Sequence, residues 1–176
     1  MSSVKKGLGK VEVALRWDPS PMGAPEHDLD LVAATYTTGA GYADPEYVVH
    51  FGSRSPDGTI NLNRDSRTGQ GFGYDEVMTL EFDRLAETYT RVVVGVVIQQ
   101  NDGRKTFGDI ENTGVRIAEG YTELATSDLA EAAGGTAATI AEFTRDPETG
   151  TWEFRSTIRG FDADPTSFTT QLSALS

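Results

Sequence analysis

The run Val92-Val93-Val94-Gly95-Val96-Val97-Ile98 constrains the fold of this chain more than any other segment. β-Branched side chains lose rotamer freedom in a helix and pack well on a pleated sheet, so the run reads as a strand. Its apolar residues fall on consecutive rather than alternate positions, the pattern of a strand covered on both faces, and it is expected at the centre of the fold. The run is also far short of the roughly 20 apolar residues that carry a helix across a bilayer. No membrane span is expected.

Weaker, alternating segments surround it. Val11, Val13, Leu15 and Trp17 alternate with Glu12, Ala14 and Arg16, a period of two with one buried face. Leu29, Leu31 and Ala33 resume the alternation after a proline-broken loop, and Tyr47-Val48-Val49-His50-Phe51, Thr59-Ile60-Asn61-Leu62-Asn63 and Val77-Met78-Thr79-Leu80-Glu81-Phe82 follow. Further strand candidates are Gly114 to Ala118, Thr122 to Ala125, Ala138 to Phe143 and Trp152 to Ile158. Pro56-Asp57-Gly58 reads as a turn, which makes Tyr47 to Asn63 a candidate hairpin, and Asn101-Asp102-Gly103, Gly134-Gly135 and Asp146-Pro147-Glu148-Thr149-Gly150 separate the later strands. About ten short strands at regular spacing predict an all-β chain, a β-sandwich of two mainly antiparallel sheets. Helix is expected only near Asp83 to Glu87, around Asp128 to Ala132 and in the tail Ser167 to Leu175. Trp17, Trp152 and Phe154 have alternating apolar neighbours and are expected in the core.

At 176 residues the chain is long enough to bury a core without disulfides or metal staples, and the absence of a linker or repeat predicts a single domain over 1–176. The net charge of −12 disfavours nucleic acid and anionic membranes as partners, and favours cations or basic partners. Cysteine is absent, which excludes thiolate metal sites and thiol catalysis. Met1 to Lys10 contains no apolar stretch of the secretory kind, so the cytoplasm is the expected compartment.

The segment that carries chemistry is Arg64-Asp65-Ser66-Arg67-Thr68-Gly69-Gln70-Gly71-Phe72-Gly73-Tyr74-Asp75-Glu76, where carboxylates bracket three glycines spaced every second residue. Carboxylates on a loop whose glycines let carbonyls turn inward are the oxygen donors that a hard cation such as Ca2+ takes. The pair Asp28-Leu29-Asp30 lies upstream and could close the same site. A phosphate loop needs a helix after it and usually a lysine; here a strand follows, and Asp75 and Glu76 would repel a phosphate. The plainer reading is a hairpin connection whose acids face water. Arg67 offers another, in which its guanidinium neutralises the carboxylates in place of a cation and the protein is a calcium-independent interaction module. His27 and His50 stand outside any motif and are assigned no role. Hydrolase, zinc-protease and dinucleotide signatures are missing, and acids crowded on one loop suit a metal cage better than glycosidic chemistry.

Taken in order, Trp17-Asp18, Asp28-Leu29-Asp30, Ser55-Pro56-Asp57-Gly58 and Asp65 to Glu76 resemble the TerD family of tellurium-resistance and stress proteins. The similarity continues through Phe107-Gly108-Asp109-Ile110, Val115-Arg116-Ile117, Glu123 to Leu129 and Gly150 to Arg155, and spans about residues 9–161, leaving 162–176 as a C-terminal tail. The resemblance implies a cytoplasmic bacterial β-sandwich that binds calcium through acidic loops, acts in stress response with other stress-response proteins as partners, and is not an enzyme. It implies a ligand set of Asp28, Asp30, Asp65, Thr68, Gly71, Asp75 and Glu76. Against the family's loop, Ser66, Gln70, Phe72 and Tyr74 replace Asn, Glu, Asp and Asp, so three carboxylates are gone. Family loops of this kind suit two adjacent Ca2+ ions; this one retains enough acid for one ion better than for two.

Overall fold

The structure is a computed structural model, described here for residues 7–24, 27–64, 74–100 and 103–175, with the backbone alone for Asn63 and Arg64. Among these residues it is a sandwich of two antiparallel five-stranded sheets. Strands β1 (Lys10–Arg16), β4 (Ile60–Arg64), β5 (Glu76–Glu81), β7 (Gly114–Glu119) and β8 (Thr122–Ser127) form one sheet in the order β4-β5-β1-β7-β8. The second has the order β10-β9-β6-β2-β3, built from β2 (Leu29–Thr37), β3 (Tyr47–Val49), β6 (Tyr89–Ile98), β9 (Ala137–Arg145) and β10 (Trp152–Phe161). The expected all-β sandwich is therefore present. The expected helical pieces shrink to 3-10 turns at Phe82–Arg84 and Ala130–Ala132, with a third at Phe107–Asp109, and one short helix, α1 (Phe168–Ala174).

The valine-rich run lies in β6, the central strand of its sheet. Val92, Val94, Val96 and Ile98 enter the core between the sheets, where they meet Val11, Val13 and Leu15 of β1. Val93 and Val97 face the other way, into a smaller cluster roofed by Phe168 and Leu172 of α1. Gly95 makes that roof possible: a Cβ there would come within 2.2 Å of the Phe168 ring. Both faces of β6 are covered, which is why the sequence shows no alternation there. Trp17 and Trp152 are buried and Phe154 is partly buried against the same core, as expected of all three.

One expected pairing is not formed. Tyr47 to Asn63 is not a hairpin: β3 pairs with β2 and β4 with β5, so the two lie in different sheets. The turn at Pro56-Asp57-Gly58 exists, with Gly58 at φ 74° and Asp57 accepting from Ser55, Thr59 N–H and the Thr59 hydroxyl. β3, however, stops at Val49 and tightens through a His50–Ser53 bridge, which leaves Phe51 half exposed and sends the chain across to the other sheet. Val49 and Ile60 then reach the same core from opposite layers, a better burial than side-by-side pairing would give. β4 and β5 are the hairpin that the acidic loop joins.

Candidate functional site

The sandwich gathers carboxylates at one end. β5 opens with Glu76, and Asp75 immediately before it donates its N–H to Leu15 O at the end of β1, 2.9 Å away. The Asp75 carboxylate in turn accepts the Trp17 N–H at 2.9 Å, while the Trp17 indole donates to the His27 carbonyl at 3.0 Å. Trp17 thus ties the exit of the acidic loop to the residue before Asp28. Asp75 is 4% exposed and Glu76 is 0% exposed.

Glu76 joins the two sheets. Its Oε1 accepts the Leu31 N–H at 2.7 Å. The reason lies in strand geometry: along β2, even residues point their backbone groups toward β6, as in Gln99 N–H to Asp28 O, and odd residues toward β3, as in Glu46 N–H to Thr35 O. β3 ends at Val49, opposite Ala33, so the Leu31 N–H lies beyond the partner strand. A carboxylate supplied from the opposite sheet takes the place of the ladder.

Asp28 and Asp30 lie on the other side of the β2 ribbon. They alternate with Leu29, Leu31 and Ala33, all in the core between the sheets, so their side chains leave on the outer face. Asp30 is nevertheless only 2% exposed, and its Oδ2 accepts from Gln99 Nε2 at 3.0 Å. The structure therefore brings Glu76 to the strand that bears the aspartates, at the same end of the molecule, with the aspartate side chains and the glutamate on different faces of that strand. Among the described residues, no three Asp, Glu or His side chains form a group able to hold a metal ion. Asp65, Thr68 and Gly71, the other residues of the expected ligand set, and Arg67 lie outside the described residues. The donors that are placed are all oxygens, the chemistry that suits calcium.

His27 is buried beside this end, and its Nδ1 has no hydrogen-bond partner. Burial first, and then the Lys105 charge, hold its pKa below the usual histidine value, against the opposing influence of the Asp18 backbone and Asp109. Gln99 and Trp17, which frame the site, were not among the residues singled out for it from sequence. The polar pair Gln99-Gln100 directly after the valine strand was the available signal, but placing Gln99 across from Asp28 needs the β2–β6 register.

Comparison with known proteins agrees with this architecture. The TerD domain model matches residues 1–171. Tellurium resistance protein TerD of Serratia marcescens is 28% identical over 166 residues, covering 92% of this chain and 85% of that protein. Stress response protein SCP2 of Bacillus subtilis (strain 168) is 29% identical over 128 residues, covering 65% of this chain and 64% of that protein. The crystal structure of a homologue of telluride resistance protein (TerD) from Streptomyces coelicolor A3(2) superposes with a TM-score of 0.90 at 56% identity, covering 95% of this chain and 98% of that one. With its whole sandwich and almost its whole length matched, the chain belongs to the TerD family.

Proposed function

We propose that this chain is a calcium-binding stress-response protein that performs no catalysis and serves as a calcium-dependent signalling or assembly module for other stress-response proteins in the cytoplasm. The observation that carries the reading is the linkage of Glu76 to Leu31, which ties the exit of the acidic loop to the strand bearing Asp28 and Asp30. Four carboxylates at one end of a sandwich, three of them almost wholly buried, concentrate negative charge where water is scarce, and a divalent cation is the natural complement. The family resemblance would assign the ligation to Asp28, Asp30, Asp65, Thr68, Gly71, Asp75 and Glu76; because Asp28 and Asp30 leave β2 on a different face from Glu76, a single ion, which the reduced carboxylate count of the loop favours, would draw on the loop and on only part of that set. Bound Ca2+ would supply charge and order to the loop. Tellurite is an anion and a poor direct ligand for an acidic protein, so a resistance role would run through assembly or signalling.

A second reading, a calcium-independent adaptor, is favoured by a different observation. One oxygen each of Asp30, Asp75 and Glu76 is already held by the protein's own N–H donors, as in a purely structural site. Calorimetric titration of chelator-treated protein with CaCl2 separates the two. Calcium binding predicts heat release and a thermal stabilisation that follows mass action, about 2.7 kcal/mol at a hundredfold excess over Kd, both lost in Asp75→Ala. No heat and no stabilisation at millimolar calcium would leave the adaptor.

A further inference from the structure

We infer that the end of the sandwich opposite the acidic loop carries a docking groove for a lysine- and arginine-bearing segment of a partner protein, an interaction that does not depend on the calcium reading. β1 runs from this end, where Lys10 pairs with Glu81, to the loop end, where Leu15 pairs with Glu76. A groove of about 810 Å3 opens here between the β9–β10 turn, the segment joining β5 to β6 and the chain at Gly7 and Leu8. Phe82 and Trp152 lie at its base, with ring centroids 4.9 Å apart. Asp83, Glu87, Asp146 and Glu148 line it as well.

The walls of the groove are fixed by the protein itself. The Asp146 carboxylate accepts the N–H groups of Glu148 at 2.8 Å and Thr149 at 3.3 Å, and Gly150 closes the turn at φ 74° with its N–H on the Asp146 carbonyl at 2.8 Å. On the other side, the Arg145 guanidinium lies 4.8 Å from the Trp152 ring centroid and donates to the Ala86 and Leu85 carbonyls at 3.0 and 3.1 Å, which pins that wall to β9. Preformed walls spare a ligand the cost of ordering them. Among the described residues, none of the four acids is in a salt bridge.

Two observations define the occupant. The carboxylates are not gathered as a metal cage, since among the described residues no three acids or histidines form one, so their complement is a ligand with several separated positive charges. Trp152, 3% exposed, has an indole N–H without an acceptor among the described residues, and a peptide carbonyl is the acceptor such a donor lacks. Lysine and arginine side chains bring their charges on apolar stems, which suit Leu8, Leu85 and Pro147 in the same groove. A basic peptide therefore meets the acids, the apolar surface and the orphaned donor together, whereas a free polyamine offers no carbonyl.

The probe is a fluorescein-labelled peptide, Arg-Leu-Lys-Ser-Arg-Leu-Lys, titrated against the full chain by fluorescence anisotropy in EDTA at about 0.15 M salt. EDTA keeps the result separate from calcium binding. The chain has two tryptophans and hence two indole N–H resonances. The unlabelled peptide is expected to shift that of Trp152 and to leave that of Trp17, which already donates to the His27 carbonyl at the other end. Glu87→Lys/Glu148→Lys is expected to weaken binding about 30-fold. Glu111→Lys/Glu131→Lys, an equal change of net charge on exposed residues outside the groove, should weaken it less than about 3-fold. Equal losses in the two variants, a shift confined to Trp17, or no saturable binding up to about 1 mM peptide overturns the groove. Spermine shifting Trp152 as the peptide does overturns the assignment in favour of a free polyamine. Tighter peptide binding by Lys5→Ser/Lys6→Ser overturns it in favour of the chain's own N-terminal lysines.

Discussion

Strand β2 handles buried charge in two different ways at its two ends. Toward its C-terminal end, on the outer face, the Arg91 guanidinium lies 4.5 Å from the ring centroid of Tyr36 and 4.3 Å from that of Tyr42, and donates to the Ala40 carbonyl at 2.8 Å. Glu142 sits 4.0 Å from Arg91 Nε and accepts from the Tyr42 hydroxyl at 3.2 Å, while the Tyr36 hydroxyl donates to the Tyr42 carbonyl at 2.8 Å. Opposite charges, two aromatic faces and a carbonyl close on one another, and the clamp pins the loop after β2 against the sheet. At the N-terminal end, Asp28, Asp30, Asp75 and Glu76 gather four carboxylates, and the donors that orient them include neutral ones, Gln99 and the N–H groups of Trp17 and Leu31. The first arrangement completes a structure by itself. The second sets carboxylates near one another, a crowding that the proposed cation would relieve.

The largest expected effect comes from Glu76. Glu76→Ala removes the acceptor of the buried Leu31 N–H and leaves a void between the sheets, and should lower unfolding free energy by about 3 kcal/mol in urea denaturation. Glu76→Gln keeps an oxygen for Leu31 and should recover most of that loss while still reducing the calcium response, because a charge is gone. Equal losses in the two variants would mean that Glu76 matters for its charge and not for the inter-sheet bond. Arg91→Lys should cost less, about 1 kcal/mol, since lysine cannot lay a planar cation between two rings and also reach Ala40. Its calcium response should match wild type. A calcium-dependent change in Arg91→Lys would break the distinction between the two ends.

The layers of the sandwich were legible in sequence because their signals are local. Alternation in Val11 to Trp17 and its failure in Val92 to Ile98 report one covered face and two, and both hold in the structure. The hairpin from Tyr47 to Asn63 was misread because a good turn at Pro56-Asp57-Gly58 says that the chain reverses, not which sheet it rejoins. Among the site residues, Asp75 and Glu76 could be named from composition of the loop, and their placement beside β2 follows from one inter-sheet hydrogen bond. Which face of β2 carries Asp28 and Asp30 was already implicit in their alternation with Leu29 and Leu31. The contact of Gln99 with Asp30 was not readable, since it depends on the register of β2 against β6, a long-range property that no periodicity encodes.

The smallest effect tests the same contrast through protons. Arg91 keeps a carboxylate and two rings about its charge, whereas His27, buried near the acidic end with Nδ1 unpartnered, is held below the ordinary histidine pKa chiefly by burial and next by Lys105. A depressed folded pKa means that the unfolded chain binds the proton more readily, so stability from the neutral imidazole is present above about pH 6.5 and is lost as pH falls through the folded value. Urea midpoints measured from pH 8 to pH 5 should therefore decline more steeply below pH 6.5 in wild type than in His27→Gln, with the titration of the carboxylates common to both curves. Parallel curves would show that His27 pays no penalty for protonation and that the acidic end already extends enough negative potential to His27 to offset its burial.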